Sequence, residues 1–220
     1  MSSIVRAFHF ERCREFRRWF ANSKIINDDG APKLVFHGTL CCFADFRARK
    51  RNAELGFHFG SLPQAEFFAG YDGEGRVPTG SNIRPVYLRI ENPLRLPDLF
   101  ERGRRSAENI ARWLCRDRLI SERVRDLIYG AGAARQANDR IIRAIKDAGY
   151  DGIVYENDQE GGTDTINDES YVAFEPSQIR SVFHRSDYLS SAETLASNPS
   201  NFISCSAGDS GSHSRRRVRL

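Results

Sequence analysis

His37 closes the run Lys33-Leu-Val-Phe-His-Gly-Thr39, a short apolar stretch that ends in an imidazole, a glycine and a hydroxyl. Twenty-one residues later a second histidine, His58, stands in Gly56-Phe-His-Phe-Gly-Ser61. Glu160 lies in the polar break that follows Asp151-Gly-Ile-Val-Tyr-Glu156, and Glu169 opens Glu169-Ser-Tyr-Val-Ala-Phe-Glu-Pro176. Each segment reads as a short strand beside a polar break, the pattern of a site built at strand ends. Singly, each has a plainer reading. A histidine ending a strand is more often packed or capping than in contact with a ligand, His58 reads as core, and loop glutamates are usually solvated. His37 and His58 as a metal pair lack a third ligand at a recognisable spacing, so no metal is expected. No Gly-x-Gly-x-x-Gly follows a strand and no Walker sequence occurs, so the two commonest phosphate cradles are absent.

The elements that must hold these residues follow from periodicity. Phe8, Cys13, Phe16 and Phe20 fall near one face of a helix over 7–20. Asn27-Asp-Asp-Gly30 is a turn signature, and a first strand is expected at 33–37. Residues 40–55 are polar and irregular, with Phe43 and Phe46 as anchors. A strand at 57–59 leads into a helix that Ser61 can cap, Pro63 can start and Gly70 can close. The reading continues with a strand at 85–91 stopped by Asn92-Pro93, helices near 106–118, 120–129 and 137–148, and strands at 152–156, 170–174 and 179–184. Short strands with helices inserted between them indicate an α+β fold, not a doubly wound sheet.

Composition narrows the class. The chain has 220 residues, 40% of them hydrophobic, and a net charge of +4. Half of that excess comes from 190–220, where Arg215, Arg216, Arg217 and Arg219 oppose Glu193 and Asp209. The folded part is therefore nearly balanced, so nucleic acid is not the expected partner, and no run is long enough to make a membrane one. The N-terminus, broken by Arg6 and His9, does not read as a secretory signal. Five unpaired-looking cysteines read as buried free thiols in a reducing compartment. Nine serines and few apolar residues from 190 onward cannot repay the entropy of ordering. The expected organisation is one domain over 1–188 and a disordered Ser/Arg-rich tail over 189–220, in a monomer.

The motifs taken in order resemble the ADP-ribosyltransferase superfamily, in particular the small transferase-like domain of phage polyvalent proteins and some bacterial effectors. The matching blocks are Phe16 to Thr39, Gly56 to Ser61 with Ala65, Val86 to Asp98, Ala148 to Asn157, and Ser170 to Ser181, so the likeness covers roughly 14–184. It implies a split β-sheet core with inserted and flanking helices, and NAD as co-substrate in a cleft between two small sheets. The bond from nicotinamide to ribose would break and ADP-ribose pass to a protein side chain. The resemblance assigns His37 a hydrogen bond to a ribose, Gly38 a close backbone approach to the ligand, and Thr39 a further hydroxyl. His58, followed by Phe59, stands where the family carries a stacking tyrosine, and Phe67 or Phe68 would form the opposite wall.

Cleavage through a ribose cation calls for a carboxylate beside the sugar. The family places a glutamate where this chain has Ser170. Glu169 is one step earlier on the strand and so turns to the other face unless a bulge re-aims it; Glu160 is the alternative. Glu169 is favoured over Glu160, with Ser170 as a neighbouring contact. Two other readings stand beside transfer to protein. One is a non-catalytic NAD or ADP-ribose-binding module. The other is a nucleic-acid-modifying relative, suggested by arginine-rich helices over 102–126. By analogy with the family, the protein would act in the cytoplasm, or as a bacterial or phage effector or toxin delivered into a host cell.

Overall fold

Strand segments whose residues are buried on both faces read as near-continuous apolar runs, and that is how the core is built here. The computed structural model describes residues 14–41, 43, 45–47, 55–71, 73–74, 76–100, 104–157 and 169–182. The chain divides into units Met1–His184 and Arg185–Leu220. Every described residue belongs to the first, so the tail expected from 189 lies outside them. The elements are α1 (Arg14–Phe20), β1 (Val35–Thr39), β2 (Phe57–Phe59), α2 (Leu62–Phe68), β3 (Asn82–Leu88), β4 (Pro93–Leu96), α3 (Arg104–Arg116), α4 (Glu122–Tyr129), α5 (Ala134–Asp147), β5 (Gly152–Glu156), β6 (Glu169–Ala173) and β7 (Ile179–Ser181). They form an α+β fold with two sheets, ordered β1-β3-β7 and β2-β6-β5-β4. All pairs are antiparallel except β4 with β5.

The two sheets enclose Ile25, Val35, Phe59, Val86, Leu88, Ile90, Val154, Tyr171 and Ala173. The alternate residues of the larger sheet, Leu94, Leu96, Ile153, Tyr155 and Val172, turn to the opposite face. There they pack with Ala107, Ile110, Leu114, Ile128, Ile141 and Ile145 of α3, α4 and α5. Phe16 and Phe20 of α1 cover the smaller sheet through Tyr87. Two side chains, the half-buried Asp151 and the buried Gln178, hold the strand ends in place. The Asp151 carboxylate accepts the N–H groups of Glu91 and Asn92, both at 2.8 Å. Gln178 accepts from the N–H groups of Phe174 and Glu175 at 2.9 Å and donates to the carbonyl of Asp151 at 2.7 Å.

The sheets also meet directly. Phe36 and Gly60 exchange backbone hydrogen bonds of 2.9 and 3.0 Å, which join β1 to the end of β2. Across this seam α2 lies against β1 so closely that a Cβ on Gly38 would sit 1.9 Å from the Ala65 carbonyl oxygen. The close approach implied for Gly38 is therefore made to a helix backbone. Several boundaries differ from expectation. β1 runs 35–39, not 33–37, and the strand expected at 85–91 runs 82–88. A further strand, β4, begins at the Asn92-Pro93 stop, because the Asp151 carboxylate turns the chain back into the sheet. Gly38→Ala should destabilise the fold by at least about 1–3 kcal/mol, the range for overpacking. A urea midpoint close to wild type would contradict this account of the seam.

Candidate functional site

The residues that the sequence singles out gather at the seam, but on two sides of it. Val35, His37 and Thr39 alternate with Phe36 and Gly38 along β1, and Val35 points into the core between the sheets. His37 shares that side. Its ring is flanked by Phe46 at 5.4 Å, Phe59 at 5.6 Å and Phe43 at 5.9 Å between centroids. Arg84, its cross-strand partner, lies over the Phe43 ring at 4.2 Å and donates to the Phe43 carbonyl. The His37 Nδ1 is 2.8 Å from the His58 carbonyl oxygen. A carbonyl only accepts, so Nδ1 carries a proton. Thr39 Oγ1 accepts from the Cys41 N–H at 3.2 Å.

On the other side of the larger sheet is a cluster of uncharged polar groups. His58 pairs with Val172 across the ladder and turns with it away from Phe57 and Phe59. Its ring meets Phe100 edge-on at 5.3 Å. Desolvation, helped by the charge of His37 and opposed by a Leu55 backbone bond, pushes its pKa down to about 4. His58 is therefore a neutral aromatic surface at physiological pH. Ser170 is 4% exposed. Its hydroxyl donates to Gln64 Oε1 and accepts from Asn157 Nδ2, both at 3.2 Å. Gln64 Oε1 also accepts from the Ser61 N–H at 2.9 Å, which starts α2. Gly60 is required here too: a Cβ would lie 1.8 Å from that same oxygen.

Glu169 points to the inter-sheet side. The ladder runs unbroken through Glu156 with Glu169 and Tyr155 with Ser170, so no bulge re-aims it. Its carboxylate takes a 2.6 Å bond from Arg95 and a 2.8 Å bond from the Tyr171 hydroxyl, with Lys33 at 4.0 Å. Burial opposes the charge. The bonds from Arg95 and Tyr171 and the Arg95 and Lys33 charges outweigh it and hold the carboxyl below its usual range. Glu160 lies outside the described residues. Phe59 is 3% exposed and part of the core, whereas Phe67 and Phe68, 57% and 48% exposed, offer free ring surface on α2. Cys41 is exposed and Cys115 half-buried, contrary to the expectation of buried thiols. Among the described residues no three His, Cys, Asp or Glu side chains gather to hold a metal ion. No helix among them is long and apolar enough to cross a membrane.

Gln64 and Asn157 were not singled out from sequence as site residues. The Ser61-x-x-Gln64 spacing of a capping box is a signal that marks the first. The two titrations predict a two-stage acid profile. The unfolded state takes up the His58 proton near 6.5 and the native state near 4, so stability falls by up to about 1.4 kcal/mol per pH unit between them. Glu169, depressed in the native state, adds a further loss as pH drops below its unfolded value of about 4.3. His58→Gln should flatten the first stage and Glu169→Gln the second, measured as urea midpoints from pH 7 to 3. A wild-type midpoint that stays level from pH 6.5 to 4 would contradict the burial of His58.

Comparison with known proteins places this geometry. No curated protein matches the chain. A crystal structure of an anti-CRISPR protein aligns with 68% of this chain and 94% of its own at 11% identity, but its TM-score of 0.30 carries no argument. A family model described as ADP-ribosyltransferase in polyvalent proteins matches residues 27–187, a span that takes in both sheets, the seam and the Gln64–Ser170 cluster. The order of the blocks, the split sheet and the span of that match together establish that the chain belongs to the family of ADP-ribosyltransferase domains found in polyvalent proteins.

Proposed function

We propose that the protein is a mono-ADP-ribosyltransferase that cleaves NAD and passes ADP-ribose to a side chain of a protein acceptor. The observation that carries this reading is the convergence at the seam. Residues 36–38, 58–64, 170 and 157 come from four separate segments, and in that order hydrogen bonds connect each to the next. The glycosidic C–N bond breaks with its electron pair going to nicotinamide, which leaves neutral. The ribose cation is captured by the acceptor's lone pair, and the acceptor's proton passes to solvent or to a nearby base. His58 and the exposed rings of Phe67 and Phe68 supply flat, uncharged surface for the leaving nicotinamide. His37 and Thr39 serve the dinucleotide from β1, and Gly38 seats α2 beside them.

The cation needs a carboxylate near it. Glu169 is turned away from Ser170 and engaged by Arg95, Tyr171 and Lys33. This favours Glu160, in the segment that feeds β6, as the acid, with Glu169 holding the strand end. The same geometry supports a second reading, because the family's glutamate position holds a buried and bonded Ser170. In that reading the domain binds NAD or ADP-ribose without cleaving it.

Incubation with NAD labelled in the adenylate part should label the protein itself or a host lysate. Glu160→Gln should lower that labelling about 10²–10³-fold, the scale of one lost electrostatic contact in a transition state. Glu169→Gln should lower it by less than about tenfold. Unchanged labelling in Glu160→Gln would reject the acid assignment. Calorimetric binding of NAD with no release of nicotinamide over long incubation would establish the non-catalytic reading.

A further inference from the structure

Gln64 is 2% exposed, and its Nε2 makes no hydrogen bond among the described residues. The orientation of the amide is fixed by its surroundings. A backbone N–H can only donate, so Oε1 must face the Ser61 N–H, and it also receives the Ser170 hydroxyl. The NH₂ end is therefore the end left over. An unpaired buried donor is costly, of the order of 1–3 kcal/mol, and calls for a partner. Ser61 Oγ, beside it in the chain, is likewise buried, and its hydroxyl donates to no group among the described residues. Two neutral donors are thus held unsatisfied at the seam, next to Ser170 and Asn157.

We infer that Gln64 Nε2 is a specificity contact for the bound dinucleotide, donating to an uncharged oxygen in its nicotinamide-ribose half, with Ser61 Oγ assisting. The inference rests on the NAD-using reading above. The cluster's own groups are uncharged, so burying a phosphate against them would go unrepaid. The cations Lys33 and Arg95 lie on the other face of the sheet, bound to Glu169. A sugar hydroxyl or a carboxamide oxygen satisfies a neutral donor without that cost. Because the Ser61 N–H and the Ser170 hydroxyl, itself bonded by Asn157, both fix the oxygen of this amide, the donor is held before the ligand arrives, and little side-chain entropy is lost on binding.

The test is Gln64→Glu, which keeps an oxygen for the Ser61 N–H and the Ser170 hydroxyl, removes the amide donor and brings in a carboxyl group whose charge the ADP measurement controls for. The thermal midpoint should stay within a few degrees of wild type. By calorimetry, NAD should bind the variant about tenfold more weakly. ADP, which lacks the second ribose and the nicotinamide, should bind both proteins alike. An equal weakening toward ADP would mean that the new charge repels phosphates, and the inference would fall. ADP-ribose separates the two acceptors: a persisting penalty identifies a ribose hydroxyl, and its disappearance identifies the carboxamide. If wild type binds NAD and the folded variant binds it equally well, the Gln64 assignment alone is wrong. If wild type binds neither NAD nor ADP-ribose, the transferase reading is wrong and this inference goes with it.

Discussion

The backbone exchange between Phe36 and Gly60 is the constraint on which the rest of the site depends. It fastens the edge of one sheet to the end of a strand in the other, so two motifs distant in sequence share one hydrogen-bonded seam. Neither position tolerates bulk nearby. Gly38 leaves room for the Ala65 carbonyl, and Gly60 leaves room for the Gln64 amide. Once those two approaches are made, α2 is fixed over the seam and Gln64 is delivered to Ser170. The glycines therefore serve packing first, and the ligand through packing.

The site that results is divided by charge. On the inter-sheet side, Glu169 sits in a knot with Arg95, Tyr171 and Lys33 that satisfies its carboxylate and keeps it ionised. Across the sheet, Gln64, Ser170, Asn157 and a neutral His58 make a polar but uncharged surface. This separation follows from the two-residue period of β6, since adjacent side chains cannot share a face. A carboxylate so well paired is a poor candidate to approach a sugar cation, because moving it would strip two charge-assisted bonds. Its natural role is to anchor the start of β6, so that Ser170 meets Gln64.

Much of this fold is legible in the sequence, for identifiable reasons. The segments 57–59 and 152–156 are bounded by glycine or polar breaks, and residues 152–155 are buried on both faces, so their apolar runs mark them as strands. The helix opened by Ser61 and Pro63 carries its own local signals. The opposite facing of Glu169 and Ser170 follows from alternation alone. β4 was not legible, because Pro93-Leu-Arg-Leu96 follows a stop signal and is drawn into the sheet by Asp151, some sixty residues away in sequence. Nor could the sequence reveal which face of β6 meets α2. That contact joins Gln64 to Ser170 across 106 residues and depends on how two sheets lean together. The Ser61-x-x-Gln64 spacing could have marked only a helix start; the fold alone shows that the Gln64 amide has a second end left over.

The central claim is that the uncharged cluster at the seam, and not the Glu169 knot, receives the reacting half of NAD. A crystal structure of the full chain soaked with a non-hydrolysable NAD analogue tests it most directly. The account predicts the nicotinamide-ribose on the α2 side, with one of its oxygens within hydrogen-bonding distance of Gln64 Nε2. A ligand seated instead against Arg95 and Glu169, with the Gln64 amide untouched, would contradict it.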